Sequence, residues 1–317
     1  MDVLTHVLSA MRLSGSVFLE AEFTAPWCVA SRITPEDCAA FFPVPEHVIA
    51  YHSVLQGEFL CRVGAEAPVG VHPGQILLLP RNDEHHIGSS LSADPVSAHE
   101  LILPPGESGL ARISWGGGGD VAVILCGFLG TLTPLNSFML SLPSLLVIDA
   151  SAGAAGEWLA SSIRYATRET LTGSPELVGK LAELLFIEAV RHYVDSLPEE
   201  RKGWFGGLRD PHVSRAMALL HARYADAWTA EALAREVGVS RTVLNARFSH
   251  YVGEPPMRYL ARWRMNLAAS LLRERQQSAG HVAYAVGFNS EAAFNRAFKR
   301  EFGLPPAAWR REKYRLN

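Results

Sequence analysis

Between Phe18 and Ile148 the apolar residues come in short runs separated by Gly and Pro, among them HVIAYHSVL, EFLCRV, QILLLP and AVILCGFLG. Runs of this length bounded by turn formers predict β-strands. Apolar and polar positions alternate only roughly, so the strands are expected in a barrel or sandwich with one crowded face. After Ile148 the period lengthens to near 3.6. Trp158, Leu159, Ser162, Ile163 and Ala166 form one stripe; Leu177, Leu181, Leu184, Leu185 and Glu188 form a second, which Ser174 caps and Pro175 opens. Both helices are more apolar than a cover for a small barrel requires, leaving self-association and intrachain packing as alternatives. Residues 197–212, LPEERKGWFGGLRDPH, concentrate charge, Gly and Pro and read as a hinge.

The last hundred residues repeat one template. SRTVLNARFSHYVGEPP and SEAAFNRAFKREFGLPP each place Ser, a large apolar residue four positions on, Phe four further, then Gly and Pro-Pro. In the first copy Thr229 caps a helix whose inner side is Ala230, Leu233, Ala234 and Val237; Gly238 supplies a left-handed turn and Ser240 caps a second helix burying Leu244 and Phe248. The second copy matches with Val282, Ala283, Val286, Gly287, Ser290, Phe294 and Phe298. Between them, PPMRYLARWRMNLAASLLRER reads as one helix of roughly 16 to 18 residues, about 25 Å long. Such a strut suits two recognition helices in successive major grooves of one duplex, about 34 Å apart.

Charge sharpens this picture. The chain is 317 residues long with a net charge of −3, yet from Arg201 onward it holds 20 Lys+Arg against 9 Asp+Glu, and before that 9 against 23. A basic module, mostly Arg, follows an acidic one, and a basic module invites a polyanion. No apolar run approaches a membrane span, and MDVLTHVLSAMRLSG lacks the basic region of an export signal, so a cytoplasmic protein is expected. Cys28, Cys38, Cys61 and Cys126 show no metal-ligand or CxxC spacing and fit a reducing compartment.

The segments WTAEALAREVGVSRTVLNARF, GEPPMRYLARWRMNLAASLL and AYAVGFNSEAAFNRAFKREFGLPPAAWRR resemble the AraC/XylS family of transcription regulators over roughly residues 211–312. One departure is Ala279 followed by Gly280, where the family has a large aliphatic residue; the first helix of the second unit is therefore expected to fray. The resemblance implies sequence-specific binding of double-stranded DNA. For base edges the candidates are Thr242, Asn245 and Ala246 in the first unit and Glu291, Ala292, Asn295 and Arg296 in the second. Asn suits adenine, Arg guanine, Glu the cytosine amine, and the small residues thymine methyls. Arg241, Arg247, Lys299 and Arg264 are assigned to phosphate, which positions without specifying.

GQILLLPRNDEHH resembles the second cupin motif, from Gly74 through Pro80 to His85, with Asn82 where the motif has Gly. Aligning the first motif on Gly57 puts Ala50 at its Glu position and residues 43–45 at its paired His positions, so three of four usual metal ligands are missing. His52 has the parity of position 50 and is expected to face inward toward His85. A hydrogen-bonding role for His52 and His85 in a small-molecule pocket, a metal site and satisfied structural histidines remain open alternatives. Cys126 is a candidate redox thiol, against buried filler.

The expected fold is α+β with two domains: a cupin-like β-barrel sensor at 1–150, a helical coupling or dimerisation segment and hinge at 151–210, and an all-α DNA-binding domain with two helix-turn-helix units at 211–317. The expected function is a ligand-responsive transcription regulator, not an enzyme, without a cofactor. Its expected partners are DNA, a small-molecule effector, a second copy of itself and possible contact with RNA polymerase, with no membrane. A metal-dependent cupin enzyme with an accessory DNA-binding domain and a thiol-based redox regulator are the alternatives.

Overall fold

The computed structural model describes residues 4, 13–34, 36–38, 45–104, 110–131, 137–149, 175–198, 203–274 and 277–315. They fall into two compact units, one of Leu13–Thr131 with Leu142–Asp195, the other of Ser196–Asn317 with Leu132–Ser141 and Met1–Arg12.

The first unit is built on eleven strands, β1 (Ser14–Thr24), β2 (Cys28–Ser31), β3 (His47–Gln56), β4 (Phe59–Val63), β5 (Val69–Val71), β6 (Gln75–Leu79), β7 (His85–Gly88), β8 (Val96–Ser97), β9 (Ala111–Gly116), β10 (Val121–Thr131) and β11 (Leu146–Asp149). Six form one sheet in the order β11-β6-β3-β10-β1-β9, and five form a second in the order β5-β4-β7-β2-β8. Central β3 is buried at its first eight positions, from His47 to Val54. A strand covered on both faces has no polar face to show, which is why the alternation in HVIAYHSVL was faint. Between the sheets, Phe23, Trp27, Val29, Phe59, Leu77, Ile87, Ile124 and Phe128 are among the core residues. The β6–β7 turn is left-handed at Asn82, with φ 52°. Its side chain accepts from the Ile33 amide and donates to the Ile33 carbonyl, so Asn does there what Gly cannot.

A short helix α1 (Ala98–Leu101) joins the strands of this unit, and α2 (Ser137–Ser141) belongs to the other. Helix α3 (Pro175–Ser196) follows, as the sequence predicted, and among its described side chains Phe186, Ala189 and Val190 are buried. On the expected stripe Leu184 is 46% exposed and Glu188 is exposed; the side chains of Leu177, Leu181 and Leu185 lie outside the described residues. The stripe at residues 158–166 lies outside the described residues.

The second unit continues with α4 (Trp204–Arg209), α5 (Pro211–Ala222), α6 (Ala230–Val237), α7 (Arg241–Val252), α8 (Pro256–Glu274), α9 (Ala279–Ala285), α10 (Glu291–Phe302) and α11 (Pro306–Arg315). Within the span 197–212 read as a hinge, residues from Trp204 to Arg209 form helix α4. Trp204 and Phe205 pack edge-on with Phe138 of α2, and Gly207 lets α4 approach Val213 and Tyr251 so closely that an added Cβ would lie 3.1 Å from Val213 Cγ1. Gly and charge suggested an open connector; at Trp204 and Phe205 buried aromatics pack instead.

Capping places both recognition helices. Thr229, Ser240 and Ser290 each accept a backbone amide three residues on, and Gly238 closes α6 in the left-handed region. Gly287 stands at the same turn of the second unit with φ 83°, and a Cβ there would sit 2.4 Å from the Ala225 carbonyl oxygen. Helix α8 serves both cores: Tyr259 packs on Phe248 of the first, whereas Met265, Ala268, Ala269 and Leu272 join Val282, Phe294 and Phe298 of the second. At 19 residues it is about 28 Å long. Helix α9 is intact, contrary to the expected fraying. Ser278 caps it, and Gly280 lies in its first turn beneath the Glu291 carboxylate, where a Cβ would come within 2.7 Å of Oε2.

Candidate functional site

In the first unit a cavity of about 160 Å³ opens between the sheets. Its wall is apolar, with Leu19, Phe23, Val29, Ile87 and Ile113; its mouth carries Arg32, Asp37 and His99; Cys126 and His52 line its inner end. The pairing of β3 with β10 sets Cys126 directly opposite His52. Cys126 Sγ lies 3.0 Å from His52 Nδ1, His52 Nε2 lies 2.9 Å from His85 Nε2, and His85 Nδ1 lies 3.0 Å from the Asp83 carbonyl oxygen.

That last contact sets the direction of the whole chain. A carbonyl oxygen only accepts, so His85 Nδ1 carries a proton. Burial pushes the His85 pKa down to about 4 and holds that of His52 well below its ordinary value, so both rings are neutral at physiological pH. A neutral His85 protonated at Nδ1 has a bare Nε2, so His52 Nε2–H donates to it. His52 Nδ1 is then bare and accepts the Cys126 thiol proton. Every ring nitrogen of the pair has a partner.

Two sequence alternatives meet this geometry. Two nitrogen ligands of one tetrahedral zinc, at bonds of about 2.0 Å, stand about 3.3 Å apart, and the His52 and His85 nitrogens are closer than that. No three His, Cys, Asp or Glu side chains converge on a metal position among the described residues, so the residues present do not fit the cupin metal. For Cys126, burial pushes the thiol up to about 12, as it does for Cys61. In this geometry Cys126 is a buried thiol whose proton points to His52 Nδ1.

In the second unit the candidate readers separate. Thr242, Ala246, Ala292, Arg296 and Lys299 are exposed, and Asn245 is half-buried. Arg241 pairs with Glu231 at 2.7 Å, both side chains 61% exposed. Arg247 donates to Asp210, whose other oxygen caps α5 at the His212 and Val213 amides. Asn295 has its Oδ1 buried without a partner, whereas Glu291 is exposed with its carboxylate leaning over α9. Arg264 is a correction: it donates to the Tyr224 and Asp226 carbonyls and braces the turn before α6 rather than standing ready for phosphate. Arg262 pairs with Glu254, a buried carboxyl raised by desolvation despite its two Arg neighbours.

Sequence reasoning missed Val243, which is 43% exposed on α7. Projecting α7 at 100° per residue from Leu244 and Phe248 turns Val243 outward beside Ala246, a signal present in the sequence. It also missed Asp210 as both cap and ion-pair partner, a role created by packing.

Known proteins resemble this sequence along nearly its full length. Residues 2–195 match the cupin family and residues 233–312 a helix-turn-helix domain family. An AraC-like transcription regulator of Streptomyces antibioticus is 32% identical over 285 residues, covering 89% of this chain and 93% of the relative. The chain belongs to the AraC-like transcription regulators. Another member, the HTH-type transcriptional regulator AlkR of Acinetobacter baylyi, is 27% identical over 98% of this chain and its own full length. The RCS-specific HTH-type transcriptional activator RclR of Escherichia coli is 26% identical, covering 83% of this chain and 84% of its own. This AraC-like regulator is thus a DNA-binding protein with a cupin unit before its reader, and no described helix is long and apolar enough to cross a membrane.

Proposed function

We propose that this regulator is a cytoplasmic, non-enzymatic homodimer that reads two adjacent major grooves with α7 and α10 and takes a small-molecule effector in the cavity bounded by Cys126 and His52. The cavity carries this reading: it is apolar within, polar at its mouth and enclosed by a cupin fold. An effector that binds one conformation of the cupin better than another shifts the population competent for DNA. Base contacts are assigned to Thr242, Asn245, Ala246, Ala292 and Arg296, and phosphate contact to Lys299. Asn295, Glu291, Arg241 and Arg247 reach DNA after leaving the intramolecular positions described above. The exposed Leu184 of α3 supports a dimer contact on that helix. RNA polymerase is the further partner where the regulator activates.

Selection of duplexes from a random pool by the full-length protein tests the reading. Two preferred patches about one helical turn apart are expected. Failure to enrich any sequence, by the full chain and by a fragment containing both helix-turn-helix units, overturns it.

A further inference from the structure

We propose that the cupin cavity takes a small apolar molecule, or the apolar end of an amphiphile, whose hydrocarbon body is about the size of one six-membered ring. It enters with that body against Cys126 and His52, leaving any polar group at the mouth beside Arg32, Asp37 and His99. This ligand class rests on the reading of the cavity as the effector site.

Volume, wall and the inner end carry the inference independently. The cavity measures about 160 Å³, and an apolar protein cavity of about 150 Å³ accommodates benzene. Its wall is mostly hydrocarbon on both sheets, from Phe23 and Ile113 on one side to Val29 and Ile87 on the other, with Ser31, opposite His85 in the strand register, as a hydroxyl in the lining. At the inner end the hydrogen-bond chain is closed. The thiol proton of Cys126 is given to His52, that of His52 to His85, and that of His85 to the Asp83 carbonyl. A hydroxyl or amine pushed inward would leave water and find no free acceptor or donor in the Cys126–His52–His85 chain, which weakens binding about 5- to 150-fold wherever the Ser31 hydroxyl does not reach it. The mouth differs: the His99 and Asp37 side chains are 48% and 33% exposed, so a polar group there keeps its water. The histidines therefore select against polar groups at the buried end instead of recruiting them.

The test is calorimetric titration of the full-length protein, without DNA, with toluene, phenol and anisole. In the wild type toluene is expected to bind, and phenol to bind no more tightly than toluene, because its hydroxyl gains nothing from the closed chain at the inner end and only keeps its water at the mouth. Cys126→Ala removes the donor to His52 Nδ1 and turns that lone pair toward the cavity. Phenol, which can donate, should then gain about tenfold or more over toluene, while anisole, which only accepts, should not. Cys126→Ser restores a donor and should keep the wild-type order. Ile102→Trp, at the half-open mouth, should abolish binding of all three probes. If Cys126→Ala does not fold, the near-isosteric Cys126→Val lacks the same donor and should show the same gain for any phenol that fits. The proposal is overturned if toluene fails to bind, if phenol is preferred by the wild type, or if the order is unchanged once the donor is gone. Probe binding with no effect of any ligand on DNA affinity would instead overturn the effector reading and leave the ligand class standing.

Discussion

His52 and His85 meet through their Nε2 atoms 2.9 Å apart, both rings almost wholly buried. Two imidazoles this close share one proton between them; a second would make one ring a buried cation and turn two N–H donors against each other. The pair is therefore an acid-sensitive element of the cupin interior.

Burial lowers the folded-state pKa of His85 from 6.5 to about 4 and that of His52 in the same direction. Above pH 6.5 both folded and unfolded states hold these rings neutral. As pH falls toward 4 the unfolded state takes up protons that the folded state refuses, so stability is lost across that window. For His85 alone the loss between pH 7 and pH 5 is about 2 kcal/mol. Urea unfolding of the full-length protein at the two pH values should show it. His85→Gln, though less stable at pH 7, should lose about 2 kcal/mol less on acidification.

Arg296 and Lys299 are exposed on one recognition helix and are assigned different tasks. Arg296→Ala should cost about 1 to 3 kcal/mol on the preferred duplex and relax a single base position. Lys299→Ala should weaken all duplexes alike and reduce the salt slope by about 1. Identical behaviour of the two variants in salt-dependent binding would remove the distinction.

Arg264 holds two carbonyls of the turn after α5. Arg264→Gln should lower the unfolding free energy of the helical unit by about 1 to 3 kcal/mol, while leaving the salt slope of DNA binding as in the wild type. A reduced slope with unchanged stability would return Arg264 to the phosphate contacts.

Asp210 links the start of α5 to Arg247 on the first recognition helix. Asp210→Ala removes a cap and an ion-pair partner, with an expected loss of about 1 to 2 kcal/mol in stability. Because Arg247 is then freed, affinity for DNA at low salt should rise relative to Arg247→Ala in the same background, a comparison that a fluorescence titration resolves.

The two readers were legible without coordinates because their determinants are local. A cap at Ser240 or Ser290, a left-handed turn at Gly238 or Gly287 and apolar residues four apart act within one or two helical turns, and the repetition of the template made them unmistakable. Asn82 was likewise readable, since its left-handed backbone is a property of the residue and its immediate turn. Parity along β3 placed His52 inward for the same reason.

What tertiary structure alone decided was the partner of each polar group. Cys126 is 74 positions from His52 and meets it through the register of β3 against β10; no spacing in the sequence encodes that register. Arg264 and Arg247 look like any surface arginine until carbonyls and Asp210 arrive from 37 to 40 residues away. Glu291 leans on α9 because Gly280 leaves room for it. Helix caps and apolar periodicity are short-range and survive in a string of letters, whereas hydrogen bonds between distant segments exist only once the hydrophobic cores have brought those segments together.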